Sequence, residues 1–179
     1  MGLFRHMNKI FIDAGFYVGH ALDYYAPLMD KDWLVYAFEP NPNLEVERSA
    51  ARFPFEVQFI KKAVWTEDGE MEFALGGRDD ASHIKELRAT TDKTIKVPCI
   101  DFSKFVKELP DTTIICSMDI EGAEFPVLEK MLKDDTAKKL NVLDIEFHHR
   151  LLDKPADDAS RLRIALEHEG VLVKLKLEM

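Results

Sequence analysis

Asp13, Glu39, Asp119, Glu121 and His148 each stand at, or within a few residues of, the end of an apolar run. Carboxylates and an imidazole in such places accept hydrogen bonds from hydroxyls and take up protons. The first cluster reads Asp13-x-Gly15-x-x-x-Gly19. Gly15 allows a tight turn that brings backbone close to a ligand, and Gly19 lets a following helix pack near the strand. Glu39 follows 20 residues after Gly19, closing the next apolar run. A carboxylate there can accept both hydroxyls of a ribose, the role of the acidic residue in nucleotide-binding βαβ units. The glycines do not fit Gly-x-Gly-x-x-Gly, because its second glycine falls at Tyr17. That disfavours a dinucleotide and suits a cofactor with no pyrophosphate to cradle.

The later clusters supply proton chemistry. Asp119-Ile120-Glu121-Gly122-Ala123-Glu124 places three carboxylates within six residues. Asp119 lies nearest the strand end and is the favoured general base, helped by Glu121 or His148. Glu121 and Glu124 are three apart and can share a face at a helix start, where carboxylates also favour the helix dipole. For Glu124 both roles stay open. Glu146, Phe147, His148 and His149 close the fifth run. Asp119, Glu146 and His148 have the donor types of a hard-ion site, but no spacing here is diagnostic of one, and no metal is expected. Phe16 or Tyr17 can set a ring beside a cationic centre or pack in the core, and core packing is expected for one of the two. Gly76 to His83 is a polar, glycine-hinged loop of the kind that covers a site. Arg78 and Ser82 are its candidate substrate contacts.

The elements that must position these residues alternate. Lys9–Ile12, Trp33–Phe38 and Val57–Trp65 read as strands. Val18–Ala26 and Leu44–Arg52 between them read as helices. Thr66 to Gly69 is a hairpin turn from which Glu70–Leu75 pairs back. Thr94–Ile100 is extended, with Pro98 arguing for an edge position. Asp101–Leu109 is a helix capped by Asp101. Thr112–Met118, Leu140–Phe147 and Val171–Leu177 are further strands, separated by helices at Ala123–Leu132 and Asp157–Glu169. The expected fold is α/β: a Rossmann-like, doubly wound, mostly parallel sheet with helices on both faces. It carries a small hairpin insertion after the third strand and a shortened C-terminal end. In such sheets ligands bind at the carboxyl ends of the strands.

Composition narrows the function classes. The 179 residues make one domain, 1–179, and 46% are hydrophobic, enough for a core. Asp and Glu number 33 against 24 Lys and Arg, a net charge of -9, and no basic stripe offsets it. No nucleic-acid partner is therefore expected. No apolar stretch reaches the ~20 residues of a membrane span, and no signal-peptide core precedes Lys9. Cys99 and Cys116 sit in apolar runs, as buried free thiols of a cytoplasmic protein.

Ile12-Asp13-Ala14-Gly15 with Gly19, Phe38-Glu39-Pro40-Asn41-Pro42, Ala63-Val64 before Asp68-Gly69, Asp119 to Glu124, and Glu146-x-His148 occur in this order. Together they resemble the FkbM-type S-adenosylmethionine-dependent methyltransferases, a branch of the Rossmann-like class. The resemblance runs from about Ile10 to His149. It implies S-adenosyl-L-methionine as cofactor and methylation of a hydroxyl on a sugar, glycan or natural product. By the same resemblance Asp13, Gly15 and Gly19 surround the methionine part and ribose, and Glu39 holds the ribose. Pro40 and Asn41 border the adenine, Ala63 and Val64 line its slot, and Asp119 stands beside the transferable methyl.

The family usually has Ala-Asn where Phe16-Tyr17 stand, and Lys where Ser117 stands. It usually adds an antiparallel pair after the last helix, where this chain offers Val171–Leu177 alone. Such an edge strand invites pairing with a second copy, a homo-oligomer. The weighed alternatives are a degenerate cofactor-binding or interaction module and a nicotinamide-dependent oxidoreductase.

Overall fold

β1 (Lys9–Ala14) is buried from its second residue to its last. A strand buried on both faces belongs in the middle of a covered parallel sheet. It pairs parallel with β2 (Trp33–Phe38) on one side and with β8 (Thr113–Met118) on the other. β3 (Glu56–Ile60) extends the sheet beyond β2. β9 (Val142–Ile145) and then β10 (Leu172–Leu175) extend it beyond β8. The computed structural model describes residues 9–44, 53–75, 82–84, 93–148 and 156–176. Among these the sheet order is β10-β9-β8-β1-β2-β3, all parallel. The chain steps outward from β1 to β3, then returns to β8 on the other side of β1 and steps outward again. That reversal is a topological switch point, and it opens a crevice beyond Ala14 and Met118.

The two faces follow the period of two. Ile10, Ile12 and Ala14 join Ile114, Met118 and Leu143 on one face. There they meet Phe102 and Val106 of α2 (Phe102–Glu108), Leu128 and Met131 of α3 (Glu124–Lys133), and Leu162 and Leu166 of α4 (Ala156–His168). Phe11, Val35 and Ala37 face the other way, against Leu22 and Tyr25 of α1 (His20–Tyr25). Helices thus cover both faces, as the alternating pattern requires. Asp101 caps α2 as expected, its carboxylate accepting the Lys104 N–H at 3.0 Å. α1 starts two residues later than the expected Val18, because Tyr17 and Gly19 take positive φ values of 49° and 89°.

The middle of the chain departs from expectation. Val57–Trp65 is two strands, not one. After Ile60 the chain turns at Lys61 and Lys62, with Lys62 N–H bonded to Ile60 O at 2.8 Å, and leaves the large sheet. β4 (Ala63–Trp65) starts a second sheet with β5 (Gly69–Ala74), β6 (His83–Ile84) and β7 (Thr94–Asp101), in the order β4-β7-β5-β6. β5 therefore does not pair back on β4. β7 lies between them, parallel to β4 and antiparallel to β5. This makes β7 an interior strand, against the edge position that Pro98 suggested. The ladder to β4 begins only at Cys99, so Pro98 stands just outside it, where a missing N–H is tolerated.

All but Leu44 of the helix expected over 44–52, and most of the loop over 76–91, lie outside the described residues. At the far end β10 is an edge strand, with Leu172 and Leu175 exposed. Both cysteines are buried and free. Among the described residues no helix is long and apolar enough to cross a membrane.

Candidate functional site

Beyond Ala14 the chain folds across the end of β2. The N–H groups of Gly15 and Phe16 both donate to Phe38 O, at 3.1 and 2.9 Å. On the other side Asp119 N–H donates to Ala14 O at 2.9 Å. Gly15 has φ +91°, and a Cβ there would stand 1.9 Å from the Asp119 carbonyl oxygen. Glycine is thus required twice, by the backbone conformation and by the close approach of the β8 loop.

The next two side chains part. Phe16 is buried with α1's core cluster, edge-on to Phe59 at 5.1 Å, and does not line the crevice. Tyr17, in the left-handed region, is exposed and does line it. The ring at the crevice is therefore Tyr17, one residue on from the Phe16 expected among the cofactor contacts.

Glu39 joins the loops after β1 and β2. One of its oxygens accepts the Tyr17 N–H and the other the Asn41 N–H, each at 2.8 Å. Burial raises its pKa, and the two backbone hydrogen bonds, from Asn41 and Tyr17, offset the rise only in part. A carboxylate has about four acceptor positions, so the pair of bonds leaves acceptor capacity on both oxygens at the crevice wall.

The crevice has a volume of about 320 Å³. Phe38, Ala63 and Val64 make its apolar side, Pro40 and Asn41 its rim, and Asp119 and Glu121 its acidic end. The small sheet adds Phe73, Ser82 and Ile84. Of the residues expected at a cofactor, Gly15, Glu39, Pro40, Asn41, Ala63 and Val64 meet here. Ser82 joins them, and Arg78 lies outside the described residues.

Asp13 and Gly19 do not line the crevice. Gly19 precedes α1, its carbonyl accepting the Asp23 N–H at 2.9 Å. Asp13 is buried within β1, and its Oδ2 has no hydrogen-bond partner among the described residues. Burial pushes its pKa up to about 7. Lys176 opposes the rise, Asp119 and Glu39 add to it, and a backbone hydrogen bond from Leu22 opposes it. Its register neighbour Ser117 has a buried Oγ that is also without a partner among the described residues.

The acidic end is built from the loops after β8 and β9. Glu121 and Gly122 take φ values of 55° and 103°, curling the β8 loop back on itself. Glu124, fully buried at the start of α3, holds that curl. Its Oε1 accepts the Ile120 N–H and its Oε2 the Gly122 N–H, both at 2.9 Å. Oε1 also lies 2.9 Å from His148 Nδ1. The Nε2 of His148 then faces Asp119, Glu121 and Glu146 at 3.7, 3.6 and 3.8 Å. Burial pushes the imidazole pKa down. The Glu124 hydrogen bond and the charges of Glu124, Glu121 and Asp119 outweigh it and carry the pKa up to about 9.

Asp119 and Glu121 reach the crevice, and His148 stands behind them. The arrangement can hold vicinal hydroxyls at one place, a flat apolar group at another, and take a proton at the third. Sequence reasoning left Glu124 undecided and missed Phe38, Leu44, Lys62, Phe73, Ile84 and Ile120 as crevice residues. Glu124's place three residues after Glu121 was a usable signal. Phe73 and Ile84 had none, since they arrive by tertiary placement of the small sheet.

A family model described as the methyltransferase FkbM domain matches residues 13–172. Neither the curated proteins nor the solved structures yield a match.

Proposed function

This chain belongs to the FkbM methyltransferase family, and on that premise we propose that it transfers a methyl group from S-adenosyl-L-methionine to a hydroxyl oxygen of a sugar, glycan or natural product. The observation that carries the reading is the position of Glu39. It lines the crevice braced by two backbone N–H groups, with acceptor capacity to spare on both oxygens. Two vicinal ribose hydroxyls match that capacity. The apolar side made by Phe38, Ala63 and Val64, rimmed by Pro40 and Asn41, suits a flat adenine. The Gly15 turn lets backbone approach the chain that leads away from the ribose.

Bound there, the cofactor supplies a methyl group on a positively charged sulfur, a good leaving group. The chain's own work is then alignment and proton removal. Holding two reactants in line is worth up to roughly 7–11 kcal/mol in favourable cases. Asp119 takes the acceptor's proton as the new bond forms, a contribution of about 10²–10⁴-fold. Glu121 and His148 stand beside it, and Asp119 has first place because it opens on the crevice while His148 does not. Ser82 and Arg78 are assigned to the acceptor.

The buried free thiols support a cytoplasmic setting, and the β10 edge supports a homo-oligomer. The test is calorimetry with S-adenosylmethionine, its demethylated product and NAD, followed by turnover on hydroxyl acceptors. Binding of the first two, with methylation of an oxygen, is expected. Binding of NAD in their place would favour hydride transfer instead. Cofactor binding with no turnover on any acceptor would make the chain a binding module.

A further inference from the structure

Where the loops after β8 and β9 converge, ligand atoms of Asp119, Glu146 and His148 all lie within 4.8 Å of one another. Two features set this group apart from a solvated acidic patch. The His148 side chain is only 10% exposed, and its ring is held by Glu124, which has no exposure at all. Nδ1 is thereby taken, and Nε2 is aimed at the carboxylates, whose charges hold on it a proton that a bound ion displaces to solvent. A ligating histidine ordinarily has its other ring nitrogen bonded to a carboxylate in this way.

The second feature is distance. Nε2 lies 3.7 Å from Asp119 Oδ1 and 3.8 Å from Glu146 Oε1. These separations are too long for hydrogen bonds. They are what two donors on one ion show: donors about 2.1 Å from a common centre stand roughly 3 to 4.2 Å apart, depending on the angle between them.

We propose that Asp119, Glu146 and His148 bind one divalent cation through a carboxylate oxygen each and the Nε2 of the imidazole. The sequence offers these three donors without a diagnostic spacing, because one ligand comes from the β8 loop and two from the β9 loop; their convergence reverses the expectation of no metal. One nitrogen with two carboxylates suits Mn²⁺ or Zn²⁺ better than Mg²⁺ or Ca²⁺, which favour oxygen alone. Asp119 is 37% exposed and lines the crevice, so the open coordination positions face its acidic end. There the ion acts as a Lewis acid on an acceptor hydroxyl, and Asp119's second oxygen remains for the proton. That use rests on the methyl-transfer reading; the binding itself does not.

The experiment takes the full chain, free of any purification tag and stripped with a chelator. It is titrated with Mn²⁺ while the electron paramagnetic resonance signal of free aqueous Mn²⁺ is followed. One ion per chain is expected, and Asp119→Asn and Glu146→Gln should each weaken it by about 10-fold or more. Both carboxylates are partly exposed, at 37% and 21%, so these variants keep the fold even if His148→Gln does not. Asp158→Asn, on α4, should bind as the parent does. No stoichiometric binding, or binding indifferent to both carboxylate variants, overturns the proposal. Cofactor and acceptor are absent throughout, so its failure and that of methyl transfer are read separately.

Discussion

His148 Nδ1 lies 2.9 Å from Glu124 Oε1, and that carboxylate is wholly buried. The contact locks the end of β9 to the start of α3. The same carboxylate gathers the Ile120 and Gly122 N–H groups, so it meets two backbone donors and a histidine that donates to it. Glu124→Gln keeps the shape but gives one terminal atom two hydrogens of its own. That atom must then face a donor, and a buried polar group is left unmatched. A loss of about 3 kcal/mol is expected, read as a fall of roughly 6–12 °C in Tm. An unchanged Tm would show that Glu124 is not a brace.

Gly15→Ala tests the seam between the β1 and β8 loops. The added methyl would sit 1.9 Å from a carbonyl oxygen, at a φ of +91° that L-residues rarely adopt. Backbone cannot yield as the tip of a side chain can, so the loops must part. The expected destabilisation is about 3 kcal/mol or more, measured by urea unfolding, with cofactor affinity falling alongside. Full stability in the variant would mean that the loops can slide apart freely.

The residues legible in the sequence are those that a parallel sheet delivers to one edge. Glu39, Asp119 and His148 each follow a strand, and parallel strands carry their C-terminal ends to the same side, so linear order was enough to group them; Asp13, inside β1, was grouped with them but does not line the crevice. Three things escaped. The turn at Tyr17 has φ +49°, a value no tyrosine announces, and it decides which of two adjacent rings faces the crevice. The strand break at Lys61-Lys62 looks polar but continuous, because both β3 and β4 are β-rich. The placement of β7 between β4 and β5 is a long-range pairing, and nothing local prefers it to a simple hairpin. Glu124 fell between these cases. Its position at a helix start was readable, but its bond to His148 was not.

Asp13 makes stability depend on pH. Its pKa rises from the ordinary 3.8 to about 7 in the folded chain, chiefly through burial. Between those values the folded state holds a proton that the unfolded state has released, so stability falls as pH rises. The contribution is fully present below about pH 4 and gone above about pH 7. The span corresponds to roughly 4 kcal/mol. Asp13→Asn removes the titration while keeping the size. Its Tm should therefore gain on the parent steadily between about pH 4 and pH 7 and level off above that. A Tm difference constant across that range would show that Asp13 is ionised, or equally solvated, in both states.

Glu39→Ala bears on the cofactor. The variant loses the acceptor for both ribose hydroxyls and frees the Tyr17 and Asn41 N–H groups that shape the rim. Affinity for S-adenosylmethionine should fall about 100-fold, or ~3 kcal/mol, by calorimetry. Glu39→Gln, which keeps one acceptor, should fall less. Equal affinity in all three proteins would remove the ribose from Glu39.

Asp119→Asn separates proton removal from cofactor binding. The side chain is more than a third exposed and lines the crevice, and its own backbone N–H holds Ala14 O. The substitution leaves that backbone bond in place and replaces an oxygen by a group of similar size, so the Gly15 turn keeps its support. Cofactor affinity should therefore stay within about 3-fold of the parent, a difference below 1 kcal/mol. An amide has no useful basicity near neutral pH, so kcat should fall by about 10²–10⁴-fold. Glu121 reaches the same end of the crevice, and a variant that retained full kcat would move the base to it. A fall in cofactor affinity as large as the fall in kcat would place Asp119 among the groups that hold the methionine end, with the proton taken elsewhere.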